Sequence, residues 1–139
     1  MIQKGNHYLI SAYERKEISK YHLEATIAYW HTTPTDQGKW HHILELYNQL
    51  VLIEYSSVTA LNRTFAFAKV YGNEKAIPEA EKLNLNGDSH YHSLLGFLYA
   101  EIDVNKSIAH YETAITLTKS KAGKQALVRE VQQLAAGRR

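Results

Sequence analysis

Apolar residues recur at intervals of three and four along most of this chain, the spacing that gathers them on one face of an α-helix. Trp40, Ile43, Leu44, Tyr47, Leu50 and Val51 make one broad stripe. Val58, Leu61, Phe65 and Ala68 repeat the pattern, as do Tyr91, Leu94, Leu95, Leu98 and Ile102. Val104, Ile108, Tyr111 and Ile115 follow, and Leu127, Val131 and Leu134 form a narrower stripe near the end. No stretch alternates apolar and polar residues as a half-buried strand does. The expected fold class is all-α.

Turn and cap signals cut these stripes into short helices. Thr33-Pro34-Thr35-Asp36 stops one helix and supplies a cap for the next. Ser56-Ser57 separates the Trp40 stripe from the Val58 stripe, and Gly72-Asn73 ends the latter with Asn73 as the expected next cap. Pro78 sits early enough in that helix to be tolerated, or else delays its start. Asn86-Gly87-Asp88-Ser89 reads as a turn and cap, Asp103 to Asn105 as a tight turn, and Ser120 as the cap of the last helix. About eight helices are expected, over residues 3–15, 19–32, 37–54, 57–71, 74–84, 89–101, 104–118 and 121–135. Short helices with brief connections imply antiparallel hairpins stacked in one domain, 1–139.

Part of the chain resembles a tetratricopeptide (TPR) unit. Leu95-Gly96 followed by Tyr99 matches the small and aromatic positions of that repeat's first helix. Ser107-Ile108, Tyr111 and Ala114-Ile115 match the second. Small residues let paired helices approach, and the aromatic fills the space between hairpins. Trp40, Ile43 and Tyr47 echo the first-helix pattern, but Trp40 and His92 lie further apart than the roughly 34-residue period of tandem repeats. A degenerate helical repeat is therefore expected.

Composition narrows the function classes. With 139 residues, 45% hydrophobic and 22% charged, the chain is ordinary for a globular protein. Sixteen Lys and Arg against 14 Asp and Glu leave a net charge of +2. Basic residues gather only at Lys119, Lys121, Lys124, Arg129, Arg138 and Arg139, which reads as a solvated helix end rather than a duplex-binding face. The absence of cysteine excludes a disulfide scaffold, a thiolate zinc site and a cysteine nucleophile, and it fits a cytoplasmic location. No apolar run approaches membrane-spanning length.

Three segments carry a more specific likeness, to the C-terminal TPR-like extension of bacterial extracytoplasmic-function-type RNA polymerase sigma factors. Tyr21 to Ala28 resembles a helix of that extension. Trp40, Ile43, Leu46, Tyr47 and Asn48 reproduce its W-x-x-I-x-x-L-Y-[DN] pattern. Ser57 to Ala66, with its Ala-Leu-Asn-Arg core, is similar to the family's SPVVALNRAVA. Ser107, Tyr111, Ala114, Ile115, Leu117 and Thr118 answer a fourth pattern. Ser57 stands near the family's proline, and Phe65 and Phe67 replace smaller aliphatics. The promoter-melting and promoter-reading helices of a sigma factor are not among these 139 residues. The resemblance implies a C-terminal fragment of a longer sigma factor, or a stand-alone relative. It also implies an accessory domain that modulates transcription initiation through protein contacts.

Asn62 and Arg63 are the leading candidates for partner contact. A guanidinium in an apolar helix needs a carboxylate or carbonyls, from within the fold or from a partner. Tyr47 and Tyr99 are expected to frame the same binding surface. Eight histidines raise the question of a metal, but no H-E-x-x-H occurs and no pair stands at i, i+4 on one helix, so they are expected to be solvated or half-buried. No nucleophile elbow, phosphate-cradling glycine loop or dinucleotide fingerprint is present. The expectations are no enzyme activity, no metal, no cofactor and no direct DNA or membrane binding. The expected partner is a protein, either the upstream sigma-factor regions or RNA polymerase. A helical-repeat adaptor for an unrelated peptide is the alternative.

Overall fold

The structure, a computed structural model, describes residues 4–32 and 37–137. Among these residues it is all-helical, with seven helices and no strand. They are α1 (Lys4–Thr32), α2 (Gln37–Ile53), α3 (Ser57–Tyr71), α4 (Asn73–Glu81), α5 (Ser89–Tyr99), α6 (Val104–Leu117) and α7 (Lys121–Ala135). The expected break between residues 15 and 19 is absent, so the first two expected helices are one. Arg15-Lys16-Glu17-Ile18 contains neither glycine nor proline, and each further residue adds a hydrogen bond once a helix has nucleated. The Thr33–Asp36 turn, Arg138 and Arg139 lie outside the described residues.

The chain forms two compact units, residues 1–63 and 64–139. In the first, α1 packs on α2. Trp30 stacks on His42 at 4.7 Å between ring centroids, while Lys20, midway along α1, meets Glu54 just past the end of α2. Those pairings make the two helices antiparallel. Leu23 and Ile27 of α1 and Ile43, Leu44, Tyr47 and Leu50 of α2 are buried, as are Ala60 and Leu61 at the start of α3. Ser56 caps α3, its Oγ accepting from the Thr59 N–H at 3.1 Å. Trp40, expected in the core, is half-buried in a T-shaped contact with His31, with the Lys39 ammonium 5.6 Å from its ring centre.

In the second unit α4 packs on α5, α5 on α6 and α6 on α7. Gly72, at φ 98°, makes the sharp turn between α3 and α4 in a conformation that disfavours other residues. It stands where Asn73 was expected as the cap, and Asn73 is the first helical residue instead. Pro78 lies inside α4 rather than at its first turn; the helix runs on for only three residues beyond it. Asn84, with φ 53°, turns the chain after α4, a conformation asparagine tolerates better than most residues. Caps then repeat: Asp88 accepts from the His90 N–H, Asp103 from that of Lys106, and Ser120 from that of Gly123. Ala76, Ile77, Ala80, Tyr91, Leu95 and Leu98 are buried, and Ala100, Tyr111 and Leu134 form a cluster lined by Ile108, Leu127 and Val131. The stripe members Val58, Ile102 and Val104 stand at helix ends and are exposed.

Candidate functional site

Arg63 projects from α3 and is half-buried. Its Nε donates to Asn48 Oδ1 on α2 at 2.6 Å. A guanidinium that leaves bulk water needs such acceptors, and a bond with a charged donor is stronger than a neutral one. Asn62, the preceding residue, is on the opposite side of that choice: it is exposed. Tyr47, next to Asn48 on α2, is 9% exposed, and burial raises its hydroxyl above the usual tyrosine value. Its ring is therefore part of the packing of the first unit rather than an open platform.

Tyr99 belongs to the second unit, so it is not brought together with Tyr47, Asn62 and Arg63 within one unit. It is 8% exposed and its hydroxyl donates to Glu81 Oε2 at 3.1 Å. Burial first, and the Glu81 carboxylate second, raise Tyr99 above the usual tyrosine value. Its ring lies nearly parallel to that of His110, with centroids 5.7 Å apart, and the Lys106 ammonium sits 5.5 Å from its centre.

The α5–α6 hairpin holds a polar cluster that residue spacing did not reveal. His92 Nδ1 lies 3.1 Å from His110 Nδ1, and His92 Nε2 lies 2.8 Å from the Asn86 carbonyl oxygen. His92 is buried, against the expectation of a solvated or half-buried side chain. The hairpin partners it across helices, a relation that a search for i, i+4 pairs along one helix misses. Deeper in the same hairpin, Ser107 Oγ donates to the Gly96 carbonyl at 2.6 Å. A Cβ on Gly96 would fall 2.8 Å from the Tyr111 ring, so the glycine permits the close approach.

No protein family, curated protein or solved structure matches this chain.

The two polar groupings differ in what they offer. Arg63 and Asn48, beside exposed Asn62, give hydrogen-bonding capacity at the α2–α3 face of the first unit. The His92–His110 contact joins two imidazole rings across the α5–α6 hairpin, one of them buried. Among the described residues no three metal-ligating side chains converge, and no helix is long and apolar enough to cross a membrane.

Proposed function

We propose that this chain is a TPR-like accessory domain of a bacterial sigma factor, which modulates transcription initiation by contacting upstream sigma regions or RNA polymerase. The observation that carries this reading is the 2.6 Å bond between Asn48 and Arg63. These residues come from two separate segments of the family likeness, the W-x-x-I-x-x-L-Y-[DN] pattern and the Ala-Leu-Asn-Arg core. Residues matched independently along the sequence thus meet in space, as parts of one packing arrangement would. The TPR-like character of the helix pairing has parallel support. Gly96, Ser107 and Tyr111, which carry the repeat likeness, are in close contact across α5 and α6.

Partner contact in this reading falls to exposed Asn62 and to Arg63, with buried Tyr47 supporting that face of the first unit from within. The domain acts by binding, without catalysis, metal or cofactor, in the cytoplasm where polymerase works. A net charge of +2 gives no concentrated basic face for duplex phosphates. Calorimetric titration of residues 1–139 with a sigma factor's promoter-binding regions and linker, and with RNA polymerase, tests the reading. Saturable association that weakens on Asn62→Ala is the expected result, with no promoter-selective shift of DNA by the domain alone. Failure to bind any transcription component would overturn it in favour of an adaptor for an unrelated peptide.

A further inference from the structure

The His92–His110 pair has a hydrogen-bond logic that fixes its protons. A carbonyl oxygen only accepts, so the 2.8 Å contact with Asn86 O requires a proton on His92 Nε2. Neutral His92 then presents a bare Nδ1, and the 3.1 Å contact requires His110 to carry its own proton on Nδ1. The pair is thus N–H···N, with His110 donating. A first added proton leaves one N–H between the rings whichever histidine carries the charge, because His110 can either keep donating or switch to its Nε2–H tautomer and accept from His92. A second leaves neither Nδ1 able to accept. Two N–H groups would then face each other across the hairpin and two positive charges would share a partly buried site.

We propose that the His92–His110 pair is an acid-sensitive latch of the second unit, closed across α5 and α6 when it holds at most one extra proton and opened by a second. The latch is placed to act on more than itself. Through Asn86 O it fastens α5 to the loop that follows α4, and through Tyr99 the His110 ring stacks on the side chain that bonds to Glu81 of α4. Opening it therefore loosens α4, α5 and α6 together.

The surroundings favour the neutral, closed form. Burial acts most strongly in lowering His110, followed by the charge of His92 on α5. Glu81 from α4 opposes them, and Lys106, one turn earlier on α6, adds to the lowering. The N-cap carboxylate Asp103, at the turn between α5 and α6, acts on Tyr99 rather than on His110. The sign of the linkage follows from this direction. A histidine lowered in the folded state binds fewer protons there than in the unfolded chain. Its stabilising effect is complete above the unfolded value of 6.5 and is lost as pH falls through that value towards the folded one.

Two measurements on the whole chain test the latch. Long-range proton–nitrogen spectra of the wild type at pH 7.5 distinguish the ring tautomers. His92 is expected as Nε2–H and His110 as Nδ1–H, followed on acidification by two coupled titration steps. Two Nε2–H rings titrating independently would overturn the proposal without any substitution being made. The second measurement compares thermal midpoints at pH 7.5 and 5.5 for the wild type and His110→Gln. Glutamine can still donate an N–H but does not titrate. Over this interval the midpoint of the wild type is expected to fall further than that of His110→Gln, by about 3 °C or more. A shift of that size is what a kcal/mol-scale change produces in a domain of this length. Equal losses in the two proteins would also overturn it.

Discussion

The α1–α2 pair and the α5–α6 pair are both antiparallel, but they are joined in different ways. Large side chains join the first. Trp30 lies on His42, His31 and Trp40 make a T-shaped contact, and Lys20 reaches Glu54. Much apolar surface stays outside: Ile18, Tyr21 and Tyr29 of α1 are each about two-thirds exposed or more. Backbone proximity joins the second. Tyr111 lies against a residue with no side chain, and Ser107 bonds to that residue's carbonyl. A contact built from long side chains can rearrange when one is shortened or lost. One built on a glycine and a buried hydroxyl has little room to adjust, because interiors are packed to crystal-like density.

The largest effect should therefore come from the α5–α6 contact. Tyr111→Ala is expected to cost about 3–5 kcal/mol, since it removes a large buried ring and leaves a cavity against Gly96. Chemical denaturation measures this directly. A cost under about 1 kcal/mol would mean that the second unit repacks as readily as the first, and the comparison would fail. Gly96→Ala comes next. Alanine gains about 1 kcal/mol of helix propensity, but its Cβ would stand 2.8 Å from the Tyr111 ring. The overpacking penalty is about 1–3 kcal/mol, so a net loss is expected. Combining Gly96→Ala with Tyr111→Leu should recover part of it, because the two sites are in contact and their effects do not add.

This contrast also accounts for what could be read from the sequence. Gly96, Ser107 and Tyr111 stood out because helix pairing by small residues leaves a recognisable spacing. The caps at Ser120 and in the Asn86–Ser89 turn were legible for a similar reason: one side-chain oxygen accepting from one nearby N–H is a local event. The extent of α1 was not legible, because no local signal between residues 15 and 19 says whether a helix stops or continues. Trp40 belongs to a helical stripe, yet periodicity gives the direction of a side chain and not how much protein covers it. Tyr47 and Tyr99 were expected to frame a binding surface, and burial of both rings is a tertiary property for the same reason. The His92–His110 contact joins residues from different helices, where neither position reveals the other.

A middle-sized effect is expected at the Arg63–Asn48 bond, which ties α2 to α3 in the first unit. Asn48→Ala alone leaves a half-buried guanidinium short of an acceptor and should cost about 1–3 kcal/mol. Arg63→Met together with Asn48→Ala removes both partners, so the double variant should lose less than the sum of the single losses. A double-mutant cycle in urea gives the coupling. Strict additivity would mean that the bond adds no coupling energy to the first unit.

The smallest effect belongs to the ion pair between Lys20 and Glu54, at 2.6 Å. Its length suggests strength, but its setting argues otherwise. The two side chains are 27% and 44% exposed, so water and salt screen their attraction. Both also give up rotamer freedom to hold the contact, and exposed pairs of this kind contribute little. The hydrogen bond to Glu54 is the main influence raising Lys20 above the usual lysine value, with burial opposing it, so the ammonium keeps its charge at neutral pH. A null result cannot then be blamed on a missing charge. Lys20→Met keeps most of the apolar stem and discards the ammonium. Its denaturation midpoint at neutral pH is expected to match the wild type, both at low salt and in 1 M sodium chloride. A clear loss at low salt that disappears at high salt would make this pair a real fastening of α1 to α2. The first unit would then depend on a polar contact as the second depends on its hairpin, and the distinction between the two would narrow to the exposed face of α1.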